Sequence, residues 1–191
     1  MPGRGRDRPA WHAGLPPDAL REEAMNLNLG CGPNRESLNV ITLDHAGWKF
    51  VDVWSGYNPD ECYDFSTGIR EPAKSVENIW LGDCLEHVVQ WRQANALAEC
   101  YRVLVPGGRL LISVPDMATV MPRWLAGEPG IDGLIWGHQD ERGGGNENGD
   151  THKHGYVESS LRAALCKAGF SVVRRISIHG VWYELAVEAV K

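Results

Sequence analysis

The stretch LNLGCGPN, residues Leu27 to Asn34, decides the fold because an apolar, strand-like run stops there in a tight glycine turn. Leu27 and Leu29 alternate with asparagines, which is the pattern of a β-strand. Gly30 and Gly32 have no Cβ, so the turn tolerates a positive φ and lets a ligand approach the backbone closely. A glycine turn is weak evidence when taken alone, and its meaning depends on the residues around it.

Length and composition predict one folded domain. The chain has 191 residues, of which 43% are hydrophobic, enough to bury a real core. Residues 1–14 are rich in glycine, proline and arginine and are expected to form a disordered basic arm. We expect residues 15–191 to form a single domain.

Charge and cysteine usage exclude several classes of protein. The net charge is −6, and the dense basic cluster is confined to Arg4, Arg6 and Arg8, so we expect no nucleic-acid partner. The apolar runs are too short to span a bilayer, so we expect no membrane insertion. Five widely spaced cysteines without a C-x-x-C pair read as free thiols, which favours a cytoplasmic protein.

Strand-like and helix-like segments alternate along the chain, which predicts a doubly wound α/β fold with a mostly parallel sheet. The strand candidates are 25–29, 40–43, 61–63, 78–81, 109–114, 171–178 and 183–190. The helix candidates are 16–24, 88–104 and 157–168. No helix separates the last two strands, so they should form a C-terminal antiparallel hairpin.

Residues 117–156 fit neither pattern. Turn signals recur through this stretch, and Trp124 and Trp136 are its apolar anchors. So long an irregular segment in a compact domain is usually functional, and we interpret it as a lid or substrate loop.

The residues after the glycine turn argue against a dinucleotide. Pro33, Asn34 and Arg35 follow where a third glycine would complete G-x-G-x-x-G, and little chain separates the turn from the next strand candidate. A helix N-terminus that could hold a pyrophosphate is barely accommodated. Asp44 ends that strand candidate and is placed to accept hydrogen bonds from ribose hydroxyls.

In these features the chain resembles the class I S-adenosylmethionine-dependent methyltransferases, over most of residues 25–191. The matching segments, in order, are LNLGCGPN, VITLDHA, YDFSTGIREP, SVENIWLGDCLEHV, ALAECYRVLVPGGRLLISVPD and HGYVESSLRAALCKAGFSVV. The resemblance is greatest to small predicted methyltransferases of bacteria. It implies a Rossmann-like, seven-stranded sheet, with S-adenosylmethionine as cofactor and S-adenosylhomocysteine as product.

The resemblance also implies where the cofactor binds. The residues that it marks are Leu29, Gly30, Cys31, Gly32, Asp44, His45, Asp64, Phe65, Gly82 and Asp83. The glycines would pass under the methionine part, Asp44 would bind the ribose, and Asp64 and Phe65 would contact the adenine. Asp83 would lie near the sulfonium, where a carboxylate can bind a cationic acceptor or take its proton.

The candidates for catalysis are four groups that can exchange a proton, namely Asp83, His87, His152 and His154. The candidates for substrate contact are Trp124, Trp136, His138 and Tyr156. No carboxylate or cysteine stands at a convincing ligand spacing from these histidines, so the sequence predicts no metal site.

We therefore expect methyl transfer to an O or N nucleophile of a small-molecule or sugar-like acceptor. Two alternatives stay open: a non-catalytic homologue that only binds the cofactor, and a nicotinamide-dependent oxidoreductase. The missing third glycine weighs against the oxidoreductase. The sequence does not specify the oligomeric state, and a homodimer is left open.

Overall fold

Seven strands form one sheet in the computed structural model, which describes residues 25–33, 47–137, 150–178 and 181–191. The strands are β1 (Met25–Leu29), β2 (Trp48–Asp52), β3 (Glu61–Cys62), β4 (Val76–Gly82), β5 (Leu104–Pro115), β6 (Val172–Ile176) and β7 (Glu184–Val190). Their order across the sheet is β3-β2-β1-β4-β5-β7-β6. The pairs from β3 to β5 are parallel, whereas β7 is antiparallel to both β5 and β6. The predicted fold class and the C-terminal antiparallel hairpin are confirmed.

Side chains alternate between two apolar layers because successive residues of a strand point to opposite faces of the sheet. Leu27, Leu29 and Leu81 lie in the larger core cluster, on the face that also buries the helices. Trp48 and Trp80 lie in a smaller cluster on the other face. Burial on both faces explains why β4 carries the consecutive apolar residues Ile79, Trp80 and Leu81, which alternate between the two clusters.

Four helices lie among the described residues: α1 (Gln90–Val103), α2 (Met117–Leu125), α3 (Asp132–Trp136) and α4 (Glu158–Ala168). The bounds of α1 and α4 match the predicted helices to within two residues. Leu97 of α1 and Leu161 of α4 pack into the larger core. Gly169 ends α4 with a left-handed φ of 110°, as the glycine stop signal predicts.

The predicted irregular segment 117–156 is in fact partly helical, because α2 and α3 both lie within it. Asp116 starts α2 by accepting a hydrogen bond from the amide of Ala118 at 3.1 Å. Val120, Ile131 and Ile135 then bury a small core of their own between the two helices. Residues 138–149 lie outside the described part.

The strand that pairs with β1 on this side of the sheet is Trp48–Asp52, which the sequence analysis did not predict. Leu27 and Leu29 of β1 stand in parallel register with Lys49 and Val51 of this strand. The predicted strand 40–43, the basic arm 1–14 and the predicted helix 16–24 lie outside the described residues. No helix in the described part of the chain is long and apolar enough to cross a bilayer.

Candidate active site

The glycine turn lies at the carboxyl end of β1, next to the ends of β2 and β4. The amides of Gly30 and Cys31 donate to the carbonyl of Val51 at 2.8 and 3.1 Å, which fixes the turn against β2. Gly30 and Gly32 have φ values of 70° and 61°, a region that L side chains rarely adopt.

The two glycines are required for different reasons. A Cβ on Gly30 would collide with Cys84 Sγ, so the turn packs directly against the segment that follows β4. A Cβ on Gly32 would meet none of the described residues within 4 Å. Among the described residues, the space beside Gly32 is therefore open to a ligand, whereas the space beside Gly30 is filled by protein.

Asp52 ends β2 and is 6% exposed. One of its carboxylate oxygens accepts from the amide of Gly32 and the other from the amide of Trp54, both at 2.9 Å. Asp52 therefore holds the glycine turn and brings a negative charge to the edge of the sheet. It occupies the strand-end position that the sequence assigned to Asp44, whereas Asp44 and His45 lie outside the described residues.

Asp64 and Phe65 begin a single 3₁₀ turn after β3. Asp64 accepts from the amide of Ser66 at 2.9 Å and forms an ion pair with Arg92 at 2.9 Å. Phe65 is buried in the larger core cluster. The structure thus gives both residues structural contacts, and their predicted contacts with an adenine ring stay a prediction.

Asp83 follows β4 in a strained left-handed conformation with a φ of 45°. Its carboxyl lies within hydrogen-bonding reach of Glu184, the first residue of β7. A hydrogen bond between two carboxyl groups requires that one of them carries a proton.

This carboxyl pair holds a proton near neutral pH. Loss of hydration raises the pKa of Asp83 to about 6. Loss of hydration and the nearby charge of Asp83 raise the pKa of Glu184 to about 8. Because the two groups titrate together, the pair carries one proton and one negative charge around pH 7. Such a pair can accept a second proton from a bound molecule.

A second polar group surrounds the 3₁₀ turn Leu85–His87. Glu86 is 1% exposed, and neither of its carboxylate oxygens has a hydrogen-bond partner among the described residues. Burial raises the pKa of this carboxyl well above its usual range. Burial lowers the pKa of His87, and it lowers that of His152 to about 4.

The backbone brings the distant histidines to this turn. The carbonyl of Glu86 accepts from the amides of Lys153 and His154 at 2.7 and 3.2 Å. The rings of His87 and His152 consequently meet edge to face, with their centroids 4.7 Å apart. The structure thus brings two of the predicted catalytic histidines together, although 65 residues separate them in the chain.

His154 and Tyr156 lie beside this group. Their rings meet edge to face at 4.7 Å. The Tyr156 hydroxyl is buried without a partner in the described chain, and burial raises its pKa. A buried hydroxyl without a partner is a natural contact for a bound acceptor.

The two tryptophans that were predicted to contact the substrate connect α2 and α3 through side-chain contacts. Trp124 donates from Nε1 to Asp132 at 2.9 Å, and its ring meets Trp136 edge to face at 6.2 Å. Trp136 is 50% exposed. Trp124 thus has packing contacts and Trp136 presents a surface that a ligand can cover, and the substrate contacts of both stay a prediction. His138 lies outside the described residues.

Sequence reasoning missed three acidic residues, namely Asp52, Glu86 and Glu184. Each of them lies within or beside an apolar stretch of chain. An acidic residue in such a stretch can indicate a buried functional carboxyl group, and this was the signal that the sequence offered. The spacing along the chain gave no sign that Glu184 meets Asp83, or that Glu86 meets His152.

A family model described as "Methyltransferase domain" matches residues 61–112, which include β3, β4 and α1. A probable S-adenosylmethionine-dependent methyltransferase of Mycolicibacterium smegmatis is 31% identical over 104 residues. That match covers 50% of this chain, and the chain spans only 40% of the length of this relative.

Solved structures share the fold over nearly the whole chain. A SAM-dependent methyltransferase of Archaeoglobus fulgidus superposes with a TM-score of 0.62 at 15% identity, covering 90% of this chain and 87% of its own. The 1,6-didemethyltoxoflavin-N1-methyltransferase of Burkholderia thailandensis, solved with 1,6-didemethyltoxoflavin and S-adenosylhomocysteine, has a TM-score of 0.54 at 18% identity. It covers 88% of this chain and 71% of its own. The fold of the chain is that of the class I S-adenosylmethionine-dependent methyltransferases, as the sequence resemblance predicted.

Proposed function

We propose that the chain transfers the methyl group of S-adenosylmethionine to an O or N nucleophile of a small-molecule or sugar-like acceptor. One observation carries this proposal. The open glycine turn held by Asp52 follows β1, and Asp83 follows the adjacent strand β4 and lies within hydrogen-bonding reach of Glu184 at the start of β7. These groups lie at the carboxyl ends of the parallel strands, where folds of this class bind their ligands.

The described residues fit the cofactor. The open space beside Gly32 admits a ligand against the backbone, and Asp52 offers carboxylate oxygens to ribose hydroxyls. The bound cofactor would supply an electrophilic methyl group: the acceptor's lone pair would form the new bond, and the sulfur would keep the electron pair of the bond that breaks. The chain's own part is then to bind, to orient and to exclude water.

The carboxyl pair gives the acceptor's proton a destination. An amine or a hydroxyl must lose a proton when it is methylated, and a group with a pKa near the working pH is the best base. The ionised member of the Asp83 and Glu184 pair can take that proton. Its negative charge also favours an acceptor that arrives as a cation.

Further support concerns the acceptor class and the compartment. The Burkholderia thailandensis relative is named for a small heterocyclic acceptor, which is consistent with a small molecule here. With a net charge of −6, nucleic acid is not a proposed partner. All five cysteines are free thiols, which supports the proposed cytoplasmic location.

Two measurements test the proposal. Calorimetric titration should show micromolar binding of S-adenosylhomocysteine and none of NAD at the same concentrations. Incubation with S-adenosylmethionine and a panel of small amines, phenols and sugars should yield S-adenosylhomocysteine and one product that is heavier by a methyl group. Cofactor binding without any product would favour the non-catalytic homologue, and binding of NAD alone would favour the oxidoreductase.

A further inference from the structure

The strongest feature that methyl transfer leaves unexplained is the buried group of Glu86, His87 and His152. One ligand atom from each of these residues lies within 4.8 Å of the others. Both oxygens of Glu86 are buried without a hydrogen-bond partner in the described chain. A buried carboxylate in this position is costly unless a proton, a water molecule or a cation compensates it.

The histidine rings are oriented as ligands. The Nδ1 atoms of His87 and His152 are buried, and neither has a hydrogen-bond partner in the described ranges. On the other side of the His87 ring, Nε2 lies 3.8 Å from Asp150 Oδ1. Backbone groups of Leu134 and Ile135 lie within hydrogen-bonding reach of the His152 ring. In metal-bound histidines one nitrogen faces the ion while the other contacts the protein, so a buried Nδ1 without a partner in the described ranges suits each ring to a ligand role.

We propose that Glu86, His87 and His152 bind a divalent transition-metal ion. Two imidazoles and one carboxylate form a donor set that suits Zn²⁺, Fe²⁺ or Co²⁺, whereas Mg²⁺ and Ca²⁺ prefer oxygen donors alone. In a tetrahedral site with each ligand atom about 2.1 Å from the ion, the ligand atoms lie about 3.4 Å apart. From the observed spread of at most 4.8 Å, the three groups therefore close by up to about 1.4 Å when the ion binds.

Three protein ligands leave coordination positions open, and the surroundings indicate where they point. The buried Tyr156 hydroxyl and the Asp83 carboxyl both lie near Glu86. An acceptor bound beside them would therefore be within reach of the ion.

The role of the ion rests on the proposed function. An acceptor hydroxyl bound to the ion would lose its proton more easily, because the ion stabilises the oxyanion. The O–H bond breaks and its proton passes to the ionised member of the Asp83 and Glu184 pair. The oxygen then forms its bond to the methyl group as the bond from that methyl to sulfur breaks. The inferred acceptor class is thus a hydroxyl compound that can chelate or ligate the ion.

The direct test titrates tag-free, metal-stripped protein with Co²⁺, followed by its visible absorption, and with Zn²⁺, followed by calorimetry. We expect one ion per chain, with Zn²⁺ displacing Co²⁺. The variants His87→Ala, His152→Ala and Glu86→Gln should each weaken binding at least tenfold. The control His154→Ala removes a neighbouring histidine outside the group and should leave binding unchanged.

The measurements distinguish failure of the metal proposal from failure of the methyltransferase proposal. S-adenosylhomocysteine affinity should be the same for His152→Ala and the parent chain, which also shows that the variant is folded. The metal site is disproved if the parent binds neither ion at 100 μM, or if His154→Ala weakens binding as much as His152→Ala does. If the parent chain does not bind S-adenosylhomocysteine, that result counts against the proposed function. The metal titration can still be interpreted, because it does not depend on the cofactor.

Discussion

The carboxylate of Asp52 accepts a 2.9 Å hydrogen bond from the amide of Gly32, which ties the end of β2 to the turn after β1. The same carboxylate accepts from Trp54 through its other oxygen. The carboxylate of one buried residue thus shapes the turn. It also lies at the carboxyl ends of the parallel strands, where a ribose would lie.

We expect Asp52→Asn to weaken S-adenosylhomocysteine binding about tenfold or more, because a hydrogen bond to a charged group contributes about 1.5–3 kcal/mol. Asp44→Asn, at the position that the sequence favoured, should change the affinity less than twofold. Calorimetric titration compares the two variants directly, with thermal unfolding as the check on folding. The opposite ranking would restore Asp44 as the ribose ligand.

The two aspartates show why the sequence alone does not choose between two strand ends. Each one ends an apolar, strand-like run, since VITLD stops at Asp44 and WKFVD stops at Asp52. The shorter spacing from the glycine turn favoured the first run as the second strand. No feature of the neighbouring residues distinguishes the two runs. The structure shows that the second run pairs with β1, which is a contact between segments distant in the chain.

The elements that the sequence predicted well carry local signals. Apolar residues at helical spacing marked α1, and Gly169 marked the end of α4. By contrast, α2 was missed because Pro122 lies inside it and reads as a helix breaker. The meeting of Glu86 with His152 could not be predicted, because it depends on the tertiary contact between the Glu86 carbonyl and residues 153 and 154.

Gly32→Ala should lower both the stability of the fold and the affinity for the cofactor. Gly32 has a φ of 61° and open space around it, so an added methyl group strains the backbone and occupies the ligand's space. Gly127 is a matched control, with a φ of 75° and equally open space at the end of α2. Both substitutions should cost about 1–2 kcal/mol of unfolding free energy.

The two glycine variants should differ in ligand affinity. Gly32→Ala should lower the affinity for S-adenosylhomocysteine at least tenfold, whereas Gly127→Ala should leave it unchanged. Chemical denaturation and calorimetry give the two quantities. Equal affinities in both variants would mean that no ligand packs against the turn.

Trp124→Ala and Trp136→Ala should separate packing from ligand contact. Trp124 packs on the small core of α2 and α3 and donates to Asp132, so its loss should lower the unfolding temperature. Trp136 is half exposed, so its loss should cost little stability. If Trp136 contacts the acceptor, Trp136→Ala should raise KM for the acceptor severalfold and leave cofactor affinity unchanged. An unchanged KM would remove Trp136 from the acceptor site.

The pair of Asp83 and Glu184 predicts a pH dependence of stability. A carboxyl whose pKa is raised on folding binds its proton more tightly in the folded state. Its favourable contribution is complete below the unfolded pKa of about 4 and is lost as the pH rises through the folded values. Those values are about 6 for Asp83 and about 8 for Glu184. The pair therefore destabilises the fold progressively between pH 4 and 8.

Glu184→Gln should remove most of this loss, because an amide at this position holds no charge and still hydrogen-bonds to Asp83. We expect the variant to gain unfolding temperature over the parent chain from pH 5 to pH 8. Comparing the two chains at each pH cancels the opposite contribution of His87 and His152, whose lowered pKa values add stability as the pH rises above them. The control is Glu128→Gln, which removes a carboxylate from the exposed ion pair with Arg123. Its unfolding temperature should differ from that of the parent chain by the same amount at pH 5 and at pH 8. If Glu184→Gln behaves like Glu128→Gln, the two carboxyl groups do not share a proton, and neither is poised to take one from an acceptor.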